Sequence, residues 1–412
     1  LAYVSDGYPT LSQTFTLREV RGLFADGIPV EVFSLHAPRA LDPRADPRRD
    51  PPITVLPAPW APAVLVAALR ELLRHPLRLG ELALRALLPH TTPWRWPLQA
   101  RAPVHLLWGA WLAGRLPQDA HVHAQFVGAA SNVAWMAARL RGTTFSFTTH
   151  SDWGLPMLRA KLRGAAFAVA ISDHQKRRLL ALCPDVPPER VLVSPLGIEM
   201  GDWVHADAPL GEPLRVVSTG NLGATKGHDT LVEAVARLSG EGVPVHLDVV
   251  GSGPERARLE GLIDRFGAGG AVTLHGAQPH EEVRRLTLRA HVVALACRQT
   301  AGGDVDGLPI VLMEGMAAGK AVVSCPVGAI PELIEDGVSG LLVPPDRADL
   351  LAQALLRLAR DPDLRSRLGA AAQARVAARH DADAARRRMA QLMGAWLSGI
   401  GAAPLLEARG RA

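Results

Sequence analysis

The chain has 412 residues, 48% of them hydrophobic and 21% charged, with a formal charge of +5. That length allows two or three domains, and the composition supports a large core and excludes global disorder. No recognised nucleic-acid motif accompanies the modest positive charge, and no apolar run reaches the roughly 18–20 residues that span a bilayer.

The opening "LAYV" reads as an apolar strand with no basic leader before it, so no signal peptide is expected. "SDGYPTLSQTFTLREV" follows. Gly7 and Pro9 mark a turn, and Ser12, Gln13 and Thr14 lead into a helix. The first N–H groups of a helix are unpaired, so this start reads either as a plain N-cap or as an anion site.

Residues 51–118 carry seven Arg against two acids, Glu71 and Glu81, and five of the nine Trp. Arg70, Arg74, Arg78 and Arg85 recur near helical spacing with leucines between them, interrupted at Pro76. Two readings stay open. One is an ordinary helix covering a sheet; the other is a basic, Trp-bearing face resting on an anionic membrane.

"HVHAQF" is a strand whose His123 is either packed in the sheet or presented to a ligand. "TTFSFTT" ends at His150, with Asp152 just beyond. A His at the carboxyl end of an apolar strand suits a ligand-facing role, because parallel sheets bind beyond those ends.

In the second half, "LRVVSTG" leads to "NLGATKGHDTLVEAV". Lys226 and Gly227 open a helix there, and a Lys at a helix N-terminus suits a diphosphate. The P-loop order is absent. "VHLDVVGSG" places Gly251 and Gly253 after a strand, but Arg256 stands at the third Gly of the dinucleotide fingerprint. NAD is therefore disfavoured, and the glycines are expected to let another nucleotide approach the backbone.

"HVVALA" is followed by the loop "CRQTAGGDVDG" and the helix "LPIVLMEGMAAG", closed by Gly319. Asp306 is expected at the helix mouth and Glu314 inside the helix. An unpaired carboxylate there costs several kcal/mol, so Glu314 needs a partner. An Arg and the vicinal hydroxyls of a sugar both qualify, since a carboxylate accepts two hydrogen bonds at once. Asp304 and Asp306 mimic a metal-binding acid pair, but no ligand cluster accompanies them, and no metal is expected. Cys183, Cys297 and Cys325 are dispersed, as suits buried, reduced thiols of a cytoplasmic protein.

Short strands, apolar on both faces, alternate with helical patterns along most of the chain. This implies α/β architecture with doubly wound parallel sheets. The rhythm breaks over 195–213, where Gly, Pro and Asp cluster. The expected organisation is a Rossmann-like domain over 1–196, a linker over 197–213 and a second Rossmann-like domain over 214–380 facing the first across a cleft. A last helix over 381–412 is expected to cross back to the first domain.

The stretches "STGNLGATKGHDTLVEAV", "VVGSGPERARLEGL", "VTLHGAQPHEEV" and "DGLPIVLMEGMAAGKAVVSCPVGAIPELIEDGVSGLLVPP" closely resemble the catalytic half of the retaining glycosyltransferase family 4, the glycosyl transferases group 1, which has the GT-B fold. The first half is similar to that family's acceptor domain through "YPTLSQTF", "HVHAQF", "FSFTTHSDW" and "VAISDHQKRRL", and its opening resembles exopolysaccharide-type members.

The family's E-x7-E signature falls on 306–314. The resemblance implies that Glu314 binds the ribose hydroxyls and that Asp306, one methylene shorter than the usual Glu, lies near the donor sugar. It implies that Lys226 binds the diphosphate and that His150 contacts the donor sugar. Asn221 stands where many members have Arg. The implied catalytic residues are His150, Lys226 and Asp306. Implied donor contacts are Gly7, Asn221, Lys226, Gly251, Gly276, Gln278, Asp306, Gly307, Leu308, Pro309, Ile310 and Glu314; acceptor contacts are Ser12, Gln13, Thr14, His123 and Asp152.

The implied reaction moves a hexosyl group from a UDP- or GDP-sugar to a glycan or lipid-linked acceptor with retention, without metal or cofactor. The expected location is the cytoplasm, with a contact at the inner face of the cell membrane if the basic, Trp-bearing reading of 51–118 holds. A GT-B nucleotide-sugar epimerase and a non-catalytic nucleotide-sugar binder are the alternatives.

Overall fold

A computed structural model of the chain describes residues 1–9, 14–37, 50–87, 101–150, 157–203, 211 and 213–397. The chain divides into two compact units, Leu1–Leu196 with the chain from Asp383 onward, and Gly197–Ala382.

The first unit holds a seven-stranded parallel sheet. Its strands are β1 (Ala2–Gly7), β2 (Glu31–His36), β3 (Ile53–Val55), β4 (His121–Gln125), β5 (Thr144–Thr149), β6 (Phe167–Ala170) and β7 (Val191–Val193). They lie in the order β3-β2-β1-β4-β5-β6-β7, with Val4 opposite Ala124 across β1 and β4. Side chains alternate between faces of a strand, so a sheet covered on both sides needs apolar residues at every position. Val4, Phe33, Leu35 and Phe147 join one core with the helices Ala102–Ala113 and Ala129–Arg141. Tyr3, Val32, Phe167 and Leu192 join another with the helix Thr14–Ala25 and the last helix, Ala382–Leu397, through Met389, Leu392 and Met393.

The second unit holds a six-stranded parallel sheet of β8 (Leu214–Thr219), β9 (Val245–Val250), β10 (Val272–Gly276), β11 (Val292–Leu295), β12 (Ala321–Ser324) and β13 (Leu341–Leu342). Their order is β10-β9-β8-β11-β12-β13. Both units are therefore Rossmann-like and doubly wound.

Two features depart from the sequence reading. β3 is a three-residue edge strand next to Pro51 and Pro52, too short and too proline-flanked to stand out as a periodic run. The expected linker over 197–213 is packed at its start. The Ile198 N–H donates to the His380 carbonyl at 2.7 Å, and the Ala382 N–H donates to the Ile198 carbonyl at 3.1 Å. Trp203 ends a 3₁₀ turn, Met200–Trp203, buried edge-on against His280. One aromatic anchor among Gly and Asp leaves no periodic trace. Residues 204–210 and 212 lie outside the described residues.

Candidate functional site

Each sheet reverses its winding once, between β1 and β4 and between β8 and β11. Loops splay apart at such a switch point, and ligands bind there. In the second unit the loop after β8 carries Lys226 and the loop after β11 carries Asp306.

The loop after β8 is held by its neighbours. The Gly220 N–H donates to the Val250 carbonyl at 3.0 Å and the Leu222 N–H to the Ser252 carbonyl at 3.0 Å. Gly251, at φ +148°, donates to the Gly276 carbonyl at 2.8 Å; a Cβ on it would lie 1.8 Å from the Gly220 carbonyl oxygen. A Cβ on Gly253 would lie 2.5 Å from the Leu222 carbonyl oxygen. The two glycines thus admit the backbone of the adjacent loop.

The 3₁₀ turn Ala224–Lys226 and the left-handed Gly227 then deliver the chain into the helix His228–Gly240. The Lys226 ammonium forms an ion pair with the Asp306 carboxylate, and both side chains are largely shielded from water. Exposed Asn221 sits at the turn before them, its carbonyl accepting from the Gly223 N–H at 2.8 Å.

Asp306 does not lie on the helix. The helix runs Ile310–Ala317, and Gly307, Leu308 and Pro309 form an irregular lead-in, because the Pro309 ring keeps Leu308 out of the helical region. Glu314 falls mid-helix and is partly buried. The helix lies close on β11: a Cβ on Gly315 would come within 2.6 Å of the Val293 side chain. A second close approach fixes Asp306, since Gly328, at φ +59°, has room for no Cβ beside the Asp306 carbonyl. Gly276 turns the chain out of β10 at φ +72°, and the Gln278 amide donates to the His275 carbonyl at 2.9 Å.

Sequence reasoning missed a clamp beside Lys226. The Arg298 guanidinium pairs with Asp229 in the first turn of the helix His228–Gly240 and with Asp346 at 2.8 Å. Arg258 reaches the other Asp229 oxygen at 2.7 Å. The Arg298 N–H donates to the Thr225 carbonyl at 3.0 Å, next to Lys226. These partners lie far apart in sequence, so no local spacing announces them.

In the first unit, Asp6 lies at the carboxyl end of β1 and accepts from the Ala130 N–H at 3.1 Å, at the start of the helix Ala129–Arg141; burial raises its carboxyl. The fully buried Lys161 donates to the Val127 carbonyl at 2.5 Å, Ser131 Oγ at 2.9 Å and Asn132 Oδ1 at 2.7 Å. Burial lowers its ammonium to about 7, with Asp6 pulling the other way. This network fixes the loop after β4, and sequence reasoning missed it too.

His150 stands just past β5. Its ring packs between Phe15 and Phe126, with centroids 4.7 and 4.5 Å away, and Phe126 holds a left-handed φ of +69°. Burial lowers His150 to about 3, so the imidazole is neutral at pH 7. Its Nε2 is buried and has no hydrogen-bond partner among the described residues. The Gly7 carbonyl accepts from Ser5 Oγ at 3.2 Å at the end of β1.

His123 is corrected. It is 0% exposed inside the sheet, with Nδ1 2.8 Å from Ser146 Oγ and Nε2 3.1 Å from Thr148 Oγ1. Both nitrogens are occupied by β5 hydroxyls, which leaves it no acceptor role. Ser12, Gln13 and Asp152 lie outside the described residues, as does the Thr14 side chain. The three cysteines are free and buried, and burial raises their thiols.

A family profile described as "Glycosyl transferases group 1" matches residues 205–375. The chain is 34% identical over 241 residues to the putative colanic acid biosynthesis glycosyltransferase WcaL of Salmonella typhimurium, spanning 58% of this chain and 59% of that protein. It is 34% identical to the amylovoran biosynthesis glycosyltransferase AmsK of Erwinia amylovora, across 54% of each. The chain thus covers little more than half the length of these two relatives. With the GDP-mannose-dependent alpha-(1-6)-phosphatidylinositol monomannoside mannosyltransferase of Mycobacterium tuberculosis, identity is 30% over 301 residues, 68% of this chain and 77% of that one. Among solved structures, HepE from Anabaena in complex with UDP has a TM-score of 0.69 at 17% identity, covering 96% of this chain and 99% of that one. Sucrose-phosphate synthase from Thermosynechococcus elongatus has a TM-score of 0.71 at 20% identity, covering 97% and 98%. At these identities the likeness establishes the two-domain GT-B fold.

Proposed function

The chain belongs to the glycosyl transferases group 1 family, and from that premise we propose that it transfers a hexosyl group from a UDP- or GDP-sugar to a glycan or lipid-linked acceptor, with retention at the anomeric carbon. The observation that carries this reading is the shielded ion pair of Lys226 and Asp306 at the switch point of the second sheet. A shielded charge that loses its partner is strongly destabilised, by roughly 3–5 kcal/mol when fully buried. A diphosphate offers Lys226 a replacement partner, and Asp306 is then free to accept from sugar hydroxyls.

Departure of the diphosphate from the anomeric carbon builds negative charge on its oxygens. Lys226, its turn held by Arg298 through Thr225, stabilises that charge once it has exchanged Asp306 for the diphosphate. Glu314 accepts from the ribose hydroxyls. In the first unit, neutral His150 offers Nε2 as an acceptor or donor to a sugar hydroxyl. The attacking acceptor hydroxyl bonds to the anomeric carbon and passes its proton to the leaving diphosphate.

The test is a thermal-shift panel of nucleotide diphosphate sugars. A ligand that binds only the native state stabilises it by about 2.7 kcal/mol at a hundred times its Kd. One sugar nucleotide is expected to raise the Tm of the wild type, and Lys226→Ala and Glu314→Ala are expected to abolish the shift. If no sugar nucleotide shifts the wild type, the reading fails. If binding occurs but no acceptor turns over and the donor is epimerised, it is an epimerase.

A further inference from the structure

Nine of the fourteen exposed large apolar side chains among the described residues fall between Trp60 and Leu87 in the first unit. Single exposed apolar residues need no explanation, but a contiguous set marks an interaction surface.

The helix Pro62–Arg74 is apolar on both faces: Val64, Ala67 and Ala68 pack on the core, and a second set of apolar residues faces outward. Glu71 is only 5% exposed on the inner face with Val64, while Leu65, Leu69, Leu72 and Leu73 stand outward, Leu73 at 76% exposure. Positions i, i+4, i+7 and i+8 form one stripe along a helix. Arg70 and Arg74 follow at the edge of that stripe. The next helix, Pro76–Leu87, repeats the pattern with Leu77, Leu84 and Leu87 outward, Leu77 at 87% exposure. Trp60, 76% exposed, precedes both.

The charge on this face is mainly positive; Arg74 lies 4.0 Å from the buried Glu71, with its own side chain 57% exposed. Burial depresses the Arg115 guanidinium and nearby Arg70 depresses it further, and Arg115 rests over the Trp111 ring at 3.6 Å. Arg70 and Arg115 have no acidic partner among the described residues. Glu81, the other acid of the segment, is held by Arg85 and Arg139.

We propose that the segment Trp60–Leu87 seats the protein peripherally on an anionic lipid surface. The outward leucines and Trp60 enter the acyl boundary, and Arg70 and Arg74 meet lipid phosphates. A lipid surface satisfies both halves of the pattern. A second copy of the chain joined across a two-fold axis would set the same cations against each other. No helix among the described residues is long and apolar enough to cross a membrane, so the contact lies in the plane of the interface.

The test floats the full chain with phosphatidylglycerol/phosphatidylcholine vesicles and, separately, with phosphatidylcholine vesicles. The wild type is expected to float with the anionic vesicles, roughly ten-fold more tightly than with neutral ones, and less well as salt rises. L69E/L73E is expected to stay in the soluble fraction, and R70E/R74E to lose the anionic preference. Leu69 and Leu73 are exposed, so the circular dichroism melt of L69E/L73E should match the wild type; Arg74 lies 4.0 Å from the buried Glu71, so R70E/R74E is read beside R70E, which leaves that pair intact and should melt like the wild type while losing part of the anionic preference. Lys226→Ala is expected to float normally, which separates this seat from the transfer reaction.

Absence of flotation by the wild type, equal flotation with neutral vesicles, or undiminished flotation of L69E/L73E each overturns the proposal. So does a wild-type dimer that L69E/L73E dissociates, with no lipid binding, because a second copy would then cover the face.

Discussion

Five histidines whose imidazoles are held below their ordinary value make this protein sensitive to acid. Burial lowers His121 and His150 to about 3, His105 and His228 to about 4, and His123 well below its ordinary value. An unfolded histidine takes up a proton near 6.5, so below that pH the unfolded state binds more protons and stability falls. Each such group contributes up to about 1.4 kcal/mol per pH unit. Glu19, raised by burial to about 7, runs the other way, holding a proton in the folded state that the unfolded chain has lost above 4.5. Asp6 has the same sign. The histidines outnumber them, so urea melts are expected to show a steady loss of stability from pH 6.5 toward pH 5; Lys161, lowered to about 7, adds a separate loss between about pH 10 and 7. His121→Asn should flatten that slope by about one proton, and a slope unchanged in the variant would remove His121 from the account.

At the scale of loops and strands, glycines fix the site by letting backbones touch. Gly251→Ala would place a methyl 1.8 Å from the Gly220 carbonyl at a left-handed φ, so a loss upward of about 2 kcal/mol is expected in urea unfolding. Gly261→Ala is the control. It lies in the open on the helix Arg256–Arg265, where Ala is the better former, and a gain of about 0.5–1 kcal/mol is expected. Such elements were unevenly legible in the sequence. Strands such as "VVAL" and "AVVS" announce a parallel sheet because both faces are apolar, and Lys226 stands out as a cation between glycine turns. Arg298 and Lys161 did not stand out, because their partners come from other elements that only folding brings near. The leucine–arginine spacing over 62–87 was legible as amphipathic, but spacing alone could not say that the leucines would face water and Glu71 the interior.

The whole molecule is two units traced by a chain that leaves the first and returns to it. The returning helix adds Met389, Leu392 and Met393 to the core that holds Tyr3, Val30 and Phe167. Ending the chain at residue 382 is therefore expected to expose that core. Calorimetry should show the transition of the first unit lowered by several degrees and that of the second unchanged, with new binding of a hydrophobic dye. Identical thermograms for the full and shortened chains would mean the helix adds nothing to the fold. The return path has one more consequence. The second unit is a single contiguous stretch whose ends, at Ile198 and Ala382, are bonded neighbours. Such a stretch is a cassette: it can be lifted out of one gene and replaced by its counterpart from a relative. The two splice points lie side by side, so a chimera has a single seam to heal.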